Sequence, residues 1–231
     1  MQIDILTIFP EMFYSPFSHS IIKRAIDKGK LSIDFIDFRE FSTSKHHKVD
    51  DYPFGGAKGM VLKPEPIFRA VDFLKKKRSK LLDGKKFPLI YLSPHGEKYN
   101  QNIANEFSKK NYIALLCGRY KDIDYRIREH LVVREISIGD YILSGGEIPA
   151  MTIVDTLARL QEGVLSHFES AQTDSFQDSE LDCIYYTRPR EFRGHSVPEI
   201  LLSGNHRKIA EWEQTKRAEF TKIYQERNRD K

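Results

Sequence analysis

The sequence predicts an α/β fold, a mostly parallel sheet with helices, followed by a small C-terminal helical domain. Three observations carry this. Apolar runs of strand length alternate with amphipathic helical segments over the first 162 residues. Two of the runs, FPLIYLS (87–93) and YIALLC (112–117), are apolar on both faces, as strands covered on both sides of a sheet are. Past Gly163 the alternation stops, and the tail reads as irregular chain and charged helix.

Taken in order, QIDILTI (2–8) alternates as a strand, and SHSIIKRAIDKG (18–29) reads as a helix ending at Gly29. LSIDFIDF (31–38) alternates as a second strand. Residues 39–63 show no periodicity and hold the glycine-rich VDDYPFGGAKGM. Glu65 to Arg78 is an amphipathic helix with Pro66 near its start. After the run 87–93 comes a helix over 100–110, the run 112–117, a helix from Ile123 to His130, a strand over 131–139 and a helix from Ile148 to Glu162. SHFESAQTDSFQDSE (166–180) is polar and poor in aliphatics, as linkers are. The expected organisation is therefore a domain over 1–165, a flexible linker over 166–178 and a helical domain over 179–231, with a long charged helix from Asn205 to Arg227.

Of 231 residues, 40% are hydrophobic and 30% charged, as in globular proteins. No stretch approaches the roughly 18–20 apolar residues of a membrane span. MQIDILTIFPEMF has no basic start and no small-residue cleavage site, so it reads as a first strand rather than a signal peptide, and a cytoplasmic location is expected. Cys117 and Cys183 stand far apart with no zinc spacing around them, and no metal site is expected from them. The net charge is +4. Basic residues cluster at Lys75-Lys76-Lys77-Arg78, and residues 181–231 hold eleven Lys/Arg against eight Asp/Glu. Each cluster alone reads as a solvated surface; together they also suit a polyanion such as RNA.

In open α/β sheets ligands bind outside the carboxyl ends of the strands. Three such ends are unusual here: YLSPHG (91–96), CGRY (117–120) and SIGDYILSGGE (137–147). Glycine at these points permits positive φ or lets backbone come close to a ligand. Any one of them also reads as an ordinary tight turn. Three together suggest a pocket, with Tyr91, Leu92, Ile138, Tyr141 and Leu143 as apolar walls. None fits the phosphate-binding pattern GxxxxGK followed by Ser or Thr, and none fits GxGxxG with an acid about twenty residues on, which argues against a P-loop nucleotidase and an NAD enzyme.

YLSPHG, LLCGRY, EISIGDYILSGGEIPAM, SAQTDSF, LDCIYYTRP and VDDYPFGGAKGM, at this spacing, resemble the bacterial tRNA (guanine-N1)-methyltransferases of the knotted SPOUT superfamily. The resemblance covers essentially the whole chain. It implies a deep trefoil knot, S-adenosylmethionine as cofactor, a tRNA substrate methylated at N1 of guanosine 37, and a homodimer whose active sites are shared between subunits. A need for Mg²⁺ is left open. By position, Asp174 matches the general base and Arg159 the arginine that stabilises charge on the guanine, with Asp155 one helical turn before it. The cofactor positions implied are Tyr91, Leu92, Ser93, Pro94, Gly118, Arg119, Tyr120, Ser137, Ile138, Gly139, Tyr141, Leu143, Ser144, Gly145, Gly146 and Pro149. The tRNA positions implied are Asp50, Gly55, Gly56, Gly59, Ser170, Ser175, Asp182 and Arg188.

Two departures stand out. Where the family usually has Glu-Gly after GRY, this chain has Lys121-Asp122, with Asp122 a candidate to replace the glutamate. Ala57-Lys58 interrupts the glycine run, restricting φ and adding a cation. Three rival readings are a SPOUT enzyme for another RNA position, a non-catalytic RNA-binding module and a small-molecule α/β enzyme. The first would lack the DSF and LDCIYYTRP segments, the second gives no reason for a three-loop pocket, and the third has no need of a basic helical tail.

Overall fold

A computed structural model describes residues 1–165, 175–176 and 180–227. The chain divides into two compact units, Met1–Phe168 and Glu169–Lys231. The first runs β1 (Gln2–Thr7), a 3-10 turn (Pro10–Phe13), α1 (Tyr14–Phe17), α2 (Ser20–Asp27), β2 (Ser32–Asp37), a second 3-10 turn (Phe38–Phe41), β3 (Asp50–Asp51), β4 (Val61–Leu62), α3 (Pro64–Lys77), α4 (Ser79–Leu82), β5 (Leu89–Lys98), α5 (Gln101–Ser108), β6 (Tyr112–Cys117), β7 (Asp122–Ile123), α6 (Tyr125–His130), β8 (Val132–Ser137) and α7 (Glu147–Arg159).

Five strands form one sheet in the order β2-β1-β6-β5-β8, every pair parallel. Ile5 sits between Phe35 and Leu115, and Leu92 between Cys117 and Ile136. Period-2 alternation sends the side chains to two cores. One face packs Ile5, Ile90, Leu92, Leu115 and Cys117 against α2, α5 and α7, through Ala25, Phe107, Ile153, Val154 and Leu157. The other packs Leu6, Leu89, Tyr91 and Leu116 against α3 and α6, through Ile67, Val71, Leu74 and Ile127. Helix starts follow their caps: Asn100 accepts from Ile103 N–H to open α5, and Asp124 accepts from Arg126 N–H to open α6.

Three features differ from the sequence reading. β5 does not stop at Pro94. Residues 93–96 bulge out between Leu92 and Glu97, both of which pair with Ile136, and the strand resumes to Lys98. Gly96 allows the return, because a Cβ there would lie 2.4 Å from Ile136 N. Residues 39–63 are not featureless: β3 and β4 form a three-stranded sheet with β7, too short for periodicity to reveal. The cluster at residues 75–78 is not a uniform basic surface either. Arg78 bonds buried Asp4 through Nε (3.0 Å) and Nη2 (2.6 Å), and Lys77 pairs with Asp34 at 2.7 Å.

The second unit holds β9 (Glu191–Phe192), β10 (His195–Ser196), a short helix Glu199–Leu202 and a long helix His206–Arg227. The strand pair went unread in the sequence, since two-residue strands carry no pattern. The long helix matches its expected span within one residue, with Trp212 and Phe220 half-buried. Thr221 accepts from Leu181 N–H, and Phe176 packs edge-on against Tyr224.

Asp4 is wholly buried and bonded by Arg78 and by the Tyr112 hydroxyl at 2.8 Å. Bonding to Asp4 raises the Arg78 pKa, and burial together with Asp4 raises that of Tyr112. Arg78→Leu would strand a buried carboxylate, so it is expected to lower stability by about 3–5 kcal/mol, read as a drop in the urea midpoint.

Candidate functional site

The carboxyl ends of β5, β6 and β8 meet at one cavity of about 580 Å³ within the first unit. The bulge from β5 supplies Ser93, Pro94 and His95; the turn after β6 supplies Gly118 to Lys121; the long turn after β8 supplies Ile138, Gly139 and Tyr141 to Gly146. Every residue expected at the cofactor lines this cavity: Tyr91, Leu92, Ser93, Pro94, Gly118, Arg119, Tyr120, Ser137, Ile138, Gly139, Tyr141, Leu143, Ser144, Gly145, Gly146 and Pro149.

Two of the loops are locked together. Gly146 N–H donates to Gly118 O at 2.9 Å, and Arg119 pairs with Gly145 in an isolated antiparallel bridge. A Cβ on Gly146 would stand 2.6 Å from Cys117 Cα, so the close approach itself demands glycine. Of the two reasons for glycine at these strand ends, positive φ holds only for Gly139 among Gly139, Gly145 and Gly146, at 153°, while Gly145 and Gly146 do not have positive φ. Beneath them lies buried Glu147, at the start of α7. It accepts from Thr7 Oγ1 at 2.9 Å and from Arg119 Nη1 at 3.3 Å. The Arg119 guanidinium in turn covers the Phe9 ring at 4.5 Å. Cys117, which ends the doubly apolar run YIALLC, is buried, and burial first, then Glu147, pushes its thiol pKa well up.

The opposite wall is polar; the sequence pointed to its Tyr91, Ser93 and Asp122 but not to Arg128 or Glu135. The Asp122 carboxylate accepts from the Tyr91 hydroxyl (2.9 Å), Arg128 Nη1 (3.0 Å) and its neighbour's Ile123 N–H (2.7 Å). The Arg128 guanidinium lies 5.1 Å from the Tyr91 ring centre, and its Nε stands 2.8 Å from Glu135 Oε1, although off-line for a hydrogen bond. Ser93 donates to Glu135 at 3.1 Å. Burial, then Asp122, raises the Tyr91 pKa, so its hydroxyl stays a donor. His95, Arg128, Ile136 and Ile142 also line the cavity. Residue type alone gives no signal for them; only the register of β5 against β8 and the turn of α6 bring them in.

The 52–60 loop comes back onto the cavity rim. Lys121 N–H donates to Met60 O at 2.9 Å, and Lys121 Cβ stands 3.4 Å from where a Gly59 Cβ would be. Gly55, Gly56 and Gly59 all have positive φ, whereas Ala57 does not, so alanine there brings no strain. Asp50 lies in β3, close enough to Tyr120 to raise its pKa after burial. In the second unit Ser175 and Asp182 are brought together, Asp182 N–H donating to Ser175 Oγ at 2.8 Å. Asp182 accepts in turn from the Tyr185 hydroxyl at 2.6 Å, which raises that tyrosine's pKa to about 12. Arg188 lies in the same unit, just before β9.

Arg159 is not at the cavity. It ends α7, thirteen residues from Gly146, or about 20 Å along the axis. Asp174 and Ser170 lie outside the described residues. Among the described residues no group of three or more His, Cys, Asp or Glu could hold a metal ion.

The family described as tRNA (Guanine-1)-methyltransferase TrmD matches residues 1–228. The chain belongs to this family. A tRNA (guanine-N(1)-)-methyltransferase of Dictyoglomus turgidum is 53% identical over 92% of this chain and 83% of its own. One of Azobacteroides pseudotrichonymphae is 52% identical over 96% of this chain and 97% of its own. The crystal structure of the tRNA (m1G37) methyltransferase from Aquifex aeolicus superposes with a TM-score of 0.78 at 43% identity, covering 97% of this chain and 93% of that one. The fold is thus the family's knotted SPOUT α/β architecture, one of the rare exceptions to unknotted chains. No described helix is long and apolar enough to cross a membrane.

The cavity glycines make a sharp prediction. Gly146→Ala forces a methyl into backbone, and is expected to cost about 1–3 kcal/mol, read as a lowered melting temperature against the parent.

Proposed function

We propose that this family member transfers a methyl group from S-adenosylmethionine to N1 of guanosine 37 in tRNA. The observation that carries the reading is the three-loop cavity in a member of this family. Its volume of about 580 Å³ falls within the range of ligand pockets, roughly 300–1,000 Å³. Its close glycines leave backbone where side chains would fill the space, and Leu92, Ile138 and Leu143 offer apolar walls to a purine. The cofactor fits this cradle, and when bound it supplies an electrophilic methyl on a positively charged sulfur.

The protein's part is to make a poor nucleophile react. Guanine N1 carries a proton at neutral pH, and removing it leaves negative charge on O6. Asp174 takes the proton as general base. Arg159 stabilises the charge growing on O6. Asp122 holds the Tyr91 ring as a fixed wall, its carboxylate engaged by Tyr91 and Arg128. The roughly 15 Å of helix α7 between Pro149, the last residue of the cavity wall, and Arg159 favours a homodimer in which a second subunit completes each site.

Asp50, Gly55, Gly56 and Gly59 on the rim loop, with Ser170, Ser175, Asp182 and Arg188, take up the tRNA. Residues 1–165 thus hold the cofactor, 166–178 connect, and 179–231 grip the RNA. A tRNA substrate places the enzyme in the cytoplasm.

Methyl-labelled cofactor and two tRNA transcripts, with G or A at position 37, test the reaction. Label as 1-methylguanosine in the first alone is the expected result; label in both, or in neither despite cofactor binding, would sink the substrate assignment. Asp174→Ala is expected to slow turnover by about 10² to 10⁴. A mixture of Asp174→Ala with Leu143→Trp, which fills the cavity, tests the shared site. Two such inactive parents should recover about a quarter of parental activity through mixed dimers with one intact site. Failure to recover would place base and cavity in one subunit.

A further inference from the structure

The second unit has a cavity of its own, of about 410 Å³, lined by Tyr186, Thr187, Arg188, Pro189, Phe192, His195, Ser196 and Val197. It is built on the β9–β10 hairpin. The two-residue turn Arg193-Gly194 has positive φ at both positions, 52° and 80°, as hairpin turns matched to strand twist do. Phe192 is paired directly with His195, which puts their side chains on the same face of the ribbon.

Three properties of this surface point to one occupant. First, it displays flat rings to solvent: Phe192 is 61% exposed and Tyr186 48%. Secondly, one side of the Phe192 ring is already covered by the Arg193 guanidinium, 5.3 Å from the ring centre. Thirdly, Glu191 is the one acid beside Arg188, Arg190 and Arg193 in residues 186–197, and none of the three makes an ion pair with another described residue. Exposed aromatics beside uncompensated guanidinium groups suit a ligand that is both flat and anionic. A nucleotide is both: its base stacks on a ring and its phosphate pairs with arginine.

We infer that this hairpin cavity receives one unpaired nucleotide of the tRNA, its base against the Phe192 and Tyr186 rings and its phosphate on Arg188. The inference rests on the tRNA reading above and adds to it a base-stacking contact away from the reacting guanine. Stacking accepts any base, so the contact serves affinity and placement of the RNA rather than choice of the methylated position.

The full-length protein and the G37 transcript test this, with dissociation constants measured by filter binding at one fixed salt concentration for the parent, Phe192→Leu and Phe192→Trp. Phe192→Leu keeps apolar bulk and removes the ring. It is expected to weaken binding by roughly 5- to 150-fold, the span that one stacked base contributes. Phe192→Trp restores the ring. It should bind as tightly as the parent and show fluorescence quenching by the transcript beyond that of the native Trp212. Equal affinity for all three proteins, with no added quenching, would overturn the inference. So would dissociation of the dimer by Phe192→Leu in sedimentation without loss of RNA affinity per subunit, which would make the cavity a contact between copies. A parent that binds the transcript yet forms no 1-methylguanosine would instead refute the reaction, leaving the stacking result to stand or fall by itself.

Discussion

The contact of Gly146 with the end of β6 holds the cavity in being. Two stretches of backbone touch there with no side chain between them, joined by one hydrogen bond from Gly146 to Gly118. Glu147, the next residue, ties the same point to β1 through Thr7 and to the following turn through Arg119. The carboxylate is buried, so these two donors compensate a charge that water does not reach. The turns after β6 and β8 are thereby fixed to each other and to the end of β1. The cavity's shape is consequently set by backbone, and its lining side chains are presented from strand ends rather than from a free loop.

The opposite wall has a different construction. Asp122, Arg128, Glu135 and Ser93 form a chain of polar contacts around the Tyr91 hydroxyl. Its members come from β7, α6, β8 and β5, so the wall depends on four elements keeping register. The small sheet β3-β4-β7 joins this wall to the glycine loop, since β7 pairs with β4 while Lys121 bonds Met60. Lys121 therefore occupies the junction between the cavity and the rim loop, and the residue pair that departs from the usual family pattern is built into the frame. Ala57, the other departure, lies in ordinary backbone and requires no compensation.

The long strands and helices were legible because each buries a face and so carries a period. YIALLC and the helix 65–78 could hardly be read otherwise. β3, β4, β7 and the β9–β10 hairpin were not legible, because two residues show no alternation. Gly118, Gly139, Gly145 and Gly146 were visible as unusual strand ends, but which reason applied to each was not. Close packing and positive φ both require glycine, and sequence does not separate them. Arg128 and Glu135 look like surface charges on an amphipathic pattern, and only the fold turns them inward. The roles given to Asp174 and Arg159 came from family resemblance, because an acid in a polar stretch and an arginine on a helix have no chemistry of their own to mark them.

The order of the strands in the sheet has a consequence for synthesis of the chain. The cavity is lined by residues from Tyr91 to Pro149, and its last wall closes only when α7 seats against β6 and α2. On the ribosome, β1, β2 and α3 emerge long before the residues that complete the pocket. The sheet's edge beside β5 must wait for β8, and Gly146 must then reach a position between elements that are already packed. Ligand in the pocket can stabilise only chains that have completed this step, because earlier forms have nothing to hold it. Nascent chains shorter than this are left to their own packing for protection from aggregation and proteolysis.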